Sequence, residues 1–123
     1  NKFYKKKVIL LDRFIDSTIA YQHYGLGVDL NIIRSLNHYL LKKFRIDFTF
    51  LNIVSKKNMK KRLKQKTKLN RYDKFKENFY NKVQNGFLKI SRSKPKHYKV
   101  IDSNLSIIDN KKIILNKIEK LLR

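Results

Sequence analysis

Apolar positions along this chain follow two rhythms. Val8, Ile9, Leu10 and Leu11 form an unbroken apolar run closed by Asp12 and Arg13, the pattern of a strand buried on both faces. Ile15 through Tyr24 reads as a short helix that Gly25 and Gly27 interrupt. Asp29 is placed to cap a second helix, with apolar positions Leu30, Ile33, Leu36 or Asn37, Leu40 and Phe44 near the 3.6-residue period. Phe48 to Val54 is rich in aromatic and β-branched types and predicts a second strand. Ser55 then offers a cap for a helix carrying Met59 and Leu63, whereas Lys64 to Tyr72 has no apolar stripe and reads as an exposed, mobile basic segment.

Helical spacing returns at Phe75, Phe79, Val83, Phe87 and Ile90, with Gly86 as a weak point in that helix. Pro95 stops it, because proline lacks an amide donor and restricts the residue before it. Tyr98, Val100 and Ile101 predict a third strand ending at Asp102, and Asp109 is placed to cap a last helix carrying Ile113, Ile114, Ile118, Leu121 and Leu122, with Lys117 at its margin. Strands separated by helical crossovers predict an α/β fold with parallel pairing. Three parallel strands make a poor independent sheet, and a strand and helix ahead of Asn1 would complete it. The start at Asn1 rather than Met reads as a boundary cut into a larger domain, although processing can also remove a starting Met.

Composition narrows the classes. A chain of 123 residues suffices for one modest core, and residues 1–123 read as a single, partial domain. Cysteine is absent, which excludes disulfides and thiolate metal sites. No apolar run approaches the roughly 20 residues of a membrane span, and no signal peptide is present, so a cytoplasmic protein with no membrane partner is the expectation. The net charge of +22 favours anionic partners, but the lysines are spread over the whole chain and charge alone does not choose among nucleotides, nucleic acids and acidic surfaces. His23, His38 and His97 are too scattered to form a metal site or proton relay.

Polar residues gather just past the first predicted strand, where an open parallel sheet usually binds its ligand. Arg13 can hold a phosphate through paired, charge-assisted hydrogen bonds, and Asp12 can orient Arg13 or hold the hydration shell of Mg²⁺. The segment Asp12-Arg13-Phe14-Ile15-Asp16-Ser17-Thr18-Ile19-Ala20-Tyr21-Gln22 resembles the signature of the thymidylate kinase family. Tyr24-Gly25-Leu26-Gly27-Val28-Asp29, Phe79 to Leu88 and Val100-Ile101-Asp102-Ser103 continue the resemblance, which covers Val8 to Leu122. The part resembled is the carboxy-terminal one. It implies a partial three-layer, parallel-sheet P-loop nucleoside monophosphate kinase fold without the amino-terminal strand and P-loop.

The resemblance also implies roles. Arg13 would bind the dTMP phosphate, Thr18 and Gln22 would contact the thymine with Ser17 nearby, Tyr21 would pack beside the sugar and disfavour a ribose 2′-hydroxyl, and Phe14 would line the pocket. Asp12 would serve as the metal residue. Arg62, Lys64, Lys66 and Arg71 would belong to a basic lid at about 62–73, with Lys66 and Arg71 catalytic together with Asp12 and Arg13. Arg62, Lys64, Lys66 and Asp102 would lie on the ATP side.

Leu69-Asn70-Arg71-Tyr72-Asp73 departs from the family's Leu-Asp-Arg-x-Glu pattern, with Asn70 for Asp and Asp73 for Glu, and Thr67 stands where a lid glycine is common. Lys64 and Lys66 stand where Arg is frequent, supplying charge without Arg's rigid fork.

The implied function is transfer of the γ-phosphoryl group of ATP to dTMP, giving dTDP for dTTP synthesis, with Mg²⁺ as cofactor and homodimerisation when full length. No Gly-x-x-x-x-Gly-Lys-Ser/Thr loop occurs in the sequence, so the isolated chain is expected to be catalytically deficient. The alternative is a basic nucleic-acid-binding or ribosome-associated protein, for which the charge, seven tyrosines and eight phenylalanines would supply phosphate attraction and base stacking. The apolar faces consume many of those aromatics, and no specific nucleic-acid partner is expected.

Overall fold

A computed structural model describes residues 7–42, 44–68 and 77–122. Its elements run α1 (Ile15–Thr18), a π-helix (Ile19–Gly25), α2 (Leu30–Leu41), β1 (Thr49–Ile53), α3 (Lys56–Lys64), α4 (Glu77–Ser93), a 3₁₀ turn (Pro95–His97), β2 (Tyr98–Asp102) and α5 (Ile107–Leu122). Strands β1 and β2 pair in parallel, from Thr49 opposite Tyr98 to Ile53 opposite Asp102. The fold is α/β, an open two-stranded parallel sheet with helices around it.

Local chemistry sets most boundaries. The Asp29 carboxylate accepts from the Asn31 amide at 2.6 Å, and the Ser55 hydroxyl accepts from the Asn58 amide at 3.3 Å, so both expected caps form. Pro95 ends α4 within two residues of Ser93 and opens the turn into β2. On α2 the buried choice is Asn37, not Leu36, which is exposed.

Three expectations are corrected. Val8–Leu11 is not a strand: all four side chains are exposed, Leu10 at 82%, and among the described residues β1 and β2 pair only with each other. An apolar run becomes a buried strand only where flanking strands take its amides and carbonyls and layers cover both its faces. Helix α2 ends at Leu41, so Phe44 lies beyond it in a turn and is 59% exposed. The last helix begins two residues before Asp109. Its cap is Ser106, whose hydroxyl accepts from the Asp109 amide at 3.1 Å and donates to the Asp109 carboxylate at 2.6 Å, a reciprocal capping pair.

The core is small. Ala20, Phe79 and Val83 form its buried centre, with Tyr21, Phe87 and Ile90 packed against it. It therefore joins the π-helix to α4, and two glycines allow the approach. A Cβ on Gly25 would lie 2.6 Å from Phe79, and one on Gly86 would lie 2.5 Å from the Tyr24 ring. At the start of α4, Glu77 pairs with Lys60 of α3 at 2.6 Å, which holds its carboxyl below the usual range.

Candidate functional site

Arg13 stands two residues before the start of α1 with φ at 65°, in the left-handed region that a side chain ordinarily avoids. Such a conformation persists where neighbouring contacts over-determine it, and it is enriched at ligand sites. Buried Ile15 anchors the following turn, and the Ser17 amide donates to the Phe14 carbonyl at 3.0 Å. The Arg13 guanidinium then lies over the Tyr21 ring, 5.3 Å from its centroid.

Tyr21 is carried by the π-helix, whose wider turn is a frequent companion of functional sites. The Leu26 amide reaches back to its carbonyl at 3.1 Å. Its ring meets Phe79 and Phe87 of α4 edge-on, at 6.0 and 6.3 Å. Packing from a helix far along the sequence thus orients the ring that supports Arg13.

Arg13 and Tyr21 line a cavity of about 320 Å³ together with the end of β1, α3 and α4. Lys56, Arg62 and Lys66 add three cations to its wall, and among the described residues no carboxylate lines it. Asn52, Asn81 and Gln84 contribute amides, while Leu51, Met59 and Phe87 give it an apolar side. Four cations around so small a space, Lys56 among them also 4.0 Å from the Glu77 carboxylate, favour an anion carrying several charges. Amides beside apolar walls suit a ligand that is only partly charged.

Several hydrogen bonds steady this wall. Gln84 accepts from the Val54 amide at 3.2 Å, linking α4 to the first residue past β1. Arg62 donates to the Ser103 carbonyl at 2.7 Å. Asn104 accepts from the Ser55 amide at 3.1 Å and from the Asn58 side chain at 2.9 Å. The carboxyl ends of both strands are thereby sewn to the start of α3. Behind them, the Tyr98 hydroxyl donates to the Asp16 carboxylate, and burial followed by that carboxylate pushes the Tyr98 phenol well above the ordinary tyrosine range.

The residues singled out in the sequence divide accordingly. Arg13, Tyr21, Arg62 and Lys66 share the cavity. Asp12, Phe14, Ser17, Thr18, Gln22 and Lys64 do not line it, and Asp12, Phe14, Thr18 and Lys64 face solvent. Asp102 turns its carboxylate to the Asn104 amide and side chain, at 2.9 and 2.6 Å, which engages it in the turn after β2. Arg71 and the rest of the lid from residue 69 to 73 lie outside the described residues.

Lys56, Asn52, Asn81 and Gln84 were not anticipated. Lys56 follows the end of β1, the position where parallel sheets bind ligands, and Gln84 is polar within the otherwise apolar stripe of α4. Those were the available signals.

Among the described residues no group of three or more His, Cys, Asp or Glu side chains could enclose a metal ion. Likewise no helix among them is long and apolar enough to cross a membrane.

The chain is similar to several known proteins. The family model described as thymidylate kinase matches residues 1–114. The thymidylate kinase of Wolbachia pipientis wMel is 46% identical over 95 residues, covering 77% of this chain and 46% of the relative. That of the Wolbachia of Brugia malayi, strain TRS, is 41% identical over 117 residues, covering 93% of this chain and 55% of the relative. The crystal structure of thymidylate kinase from Ehrlichia chaffeensis matches with a TM-score of 0.63 and 30% identity, over 98% of this chain and 54% of that one. The chain therefore spans about half the length of these relatives.

Proposed function

Because this chain belongs to the thymidylate kinase family, we propose that it supplies the acceptor and lid portion of an enzyme that transfers the γ-phosphoryl group of ATP to dTMP. The observation that carries the proposal is the cavity on whose wall Arg13, Lys56, Arg62 and Lys66 converge. In this reading residues 1–123 are one partial domain whose basic stretch at about 62–73 closes over the donor.

Arg13 grips the dTMP phosphate, whose oxygen attacks the γ-phosphorus of ATP in line as ADP leaves. Its guanidinium is held over the Tyr21 ring, so little orientational freedom remains to be lost when the phosphate arrives. Lys66 and Arg62 face the charge that spreads over the transferring group, and Arg71 joins them from the lid. Placement and electrostatics dominate such a transfer, and no covalent protein nucleophile is needed. Ser17, Thr18 and Gln22 lie outside that cavity, on α1 and the π-helix beside Tyr21, and their assignment to the thymine edge rests on the family's signature alone.

Mg²⁺, when bound, would supply positive charge to offset that of the nucleotide phosphates. A single exposed carboxylate suits an ion that keeps several waters and takes its remaining ligands from nucleotide phosphates, so Asp12 is the residue assigned to its hydration shell. Asp102, engaged in the turn after β2, is assigned to shaping the ATP side rather than to direct contact.

The test separates chain from site. The 123-residue polypeptide alone is expected to convert dTMP to dTDP negligibly with MgATP, because its sequence holds no Gly-x-x-x-x-Gly-Lys-Ser/Thr loop. A polypeptide in which this chain follows a P-loop-bearing segment is expected to turn over, and Arg13→Ala in it to lose at least about 100-fold in kcat/KM for dTMP, roughly 2.7 kcal/mol of transition-state stabilisation. Turnover unaffected by Arg13→Ala would sink the assignment.

A further inference from the structure

Buried Ile15 anchors the turn that presents Arg13 from one side only. Val8–Leu11, which precedes it, is not in the sheet, and α1 is four residues long without a side-chain cap at its start. Helix α1 runs directly into the π-helix, which is held against α4, so its amino-terminal end at Arg13 is the end left to be fixed. Yet Arg13 keeps a strained φ, and its side chain must return to one place for each substrate.

We propose that Tyr98 is a positioning residue, which through its hydrogen bond to Asp16 locks the turn from Arg13 to Thr18 onto the sheet and so sets where Arg13 meets the acceptor phosphate. The two residues lie 82 positions apart, and the contact is partly buried. Tyr98 is the first residue of β2 and faces Thr49, the first of β1, in the parallel register. Tyr98 thus ties β2 to α1, with the phenol donating to the Asp16 carboxylate.

The donor is neutral and the acceptor charged, which makes the bond stronger than one between neutral groups. Its partly buried setting also limits competition from water, which is why the phenol holds its proton so firmly. Asp16 sits three residues from Arg13 and two from Thr18, so a shift of its carboxylate moves both ends of the recognition turn. A misplacement of about 1 Å in such a site can cost around two orders of magnitude in rate.

This inference rests on the assignment of Arg13 to the acceptor phosphate, but its first measurement does not. Tyr98→Phe keeps the ring and removes the hydroxyl. Hydrogen exchange in the 123-residue chain is expected to quicken several-fold for amides of residues 13–21 while those of α5 stay unchanged. Unchanged exchange at 13–21, or equal acceleration throughout, overturns the positioning role whatever the reaction proves to be.

In the P-loop-completed polypeptide, Tyr98→Phe is expected to raise KM for dTMP about three- to tenfold with KM for ATP within twofold. Asp16→Asn, whose amide oxygen still accepts from Tyr98, should fall between the two, and the double variant should be no worse than Tyr98→Phe. Equal rises in both KM values, or additive losses in the double variant, overturn it. Absence of dTMP turnover in the unsubstituted polypeptide would instead overturn the function proposed above, leaving the exchange result to decide this one.

Discussion

At the scale of a single residue, Arg13 sets local stability against function. A left-handed φ costs a non-glycine residue roughly 1–2 kcal/mol, which glycine would not incur. Glycine would also forfeit the stacking over Tyr21, about 0.5–1 kcal/mol at an exposed site, and would make the unfolded chain more flexible. The opposing effects nearly cancel, so Arg13→Gly is expected to leave the unfolding midpoint within about 1 kcal/mol of the parent while dTMP binding falls by at least about tenfold. Denaturant titration beside nucleotide titration would show it. A loss of several kcal/mol would mean that Arg13 is a structural residue. The residue type was legible in the sequence, since a guanidinium just past an apolar run invites a phosphate. Its backbone strain was not, because nothing in Asp12-Arg13-Phe14 demands a positive φ.

Between elements, the contact of the π-helix with α4 determines the site, and Gly86 tests it. On propensity alone Gly86→Ala should stabilise α4 by about 1 kcal/mol. The added Cβ, however, would lie 2.5, 2.7 and 2.8 Å from Tyr24 atoms at the base of its ring, which cannot swing away as a flexible tip would. Overpacking of this kind costs roughly 1–3 kcal/mol before the propensity gain. A net destabilisation of about 1 kcal/mol or more is expected in thermal or denaturant unfolding, with weaker dTMP binding because Tyr21 lies in the same helix. A more stable Gly86→Ala protein would show that the two helices part easily.

The sequence marked Gly86 only as a weak point in a helix, since propensity is local and the Tyr24 ring is brought there by tertiary packing. Caps at Asp29 and Ser55, the stop at Pro95 and both paired strands were legible for the opposite reason: each follows from neighbours within a few residues. Ser106 was readable too, as a Ser three residues ahead of Asp109, but the acidic residue drew attention from the hydroxyl that caps. The π-helix left no trace, because a period of 3.6 and a slightly wider turn place the same few apolar residues inward. Tyr98 and Asp16 meet across 82 positions, a distance over which no pattern in a single sequence reaches.

For the molecule as a whole, a net charge of +22 offers two modes of anion binding that salt can separate. A spread of lysines attracts any polyanion by releasing its counterions, and such binding falls by about 10³–10⁵ between 50 and 200 mM salt when some 6–10 phosphates are contacted. The cavity concentrates four cations, together with amides and apolar walls, on one small ligand. Within it, fewer charges are neutralised and part of the affinity comes from contacts that ions do not screen. Labelled duplex DNA is therefore expected to bind at 50 mM salt and to be lost by 200 mM, whereas dTMP and MgATP weaken by less than about tenfold over the same range. At low salt, dTMP should fail to displace the DNA, because the two occupy different surfaces. Anisotropy of a labelled oligonucleotide beside calorimetric nucleotide titration would measure both. DNA or RNA binding that survives 200 mM salt in the absence of any measurable nucleotide affinity would transfer the cations of the cavity to a nucleic-acid ligand, and the aromatic pair of Tyr21 and Phe87 would then be the place to look for a stacked base.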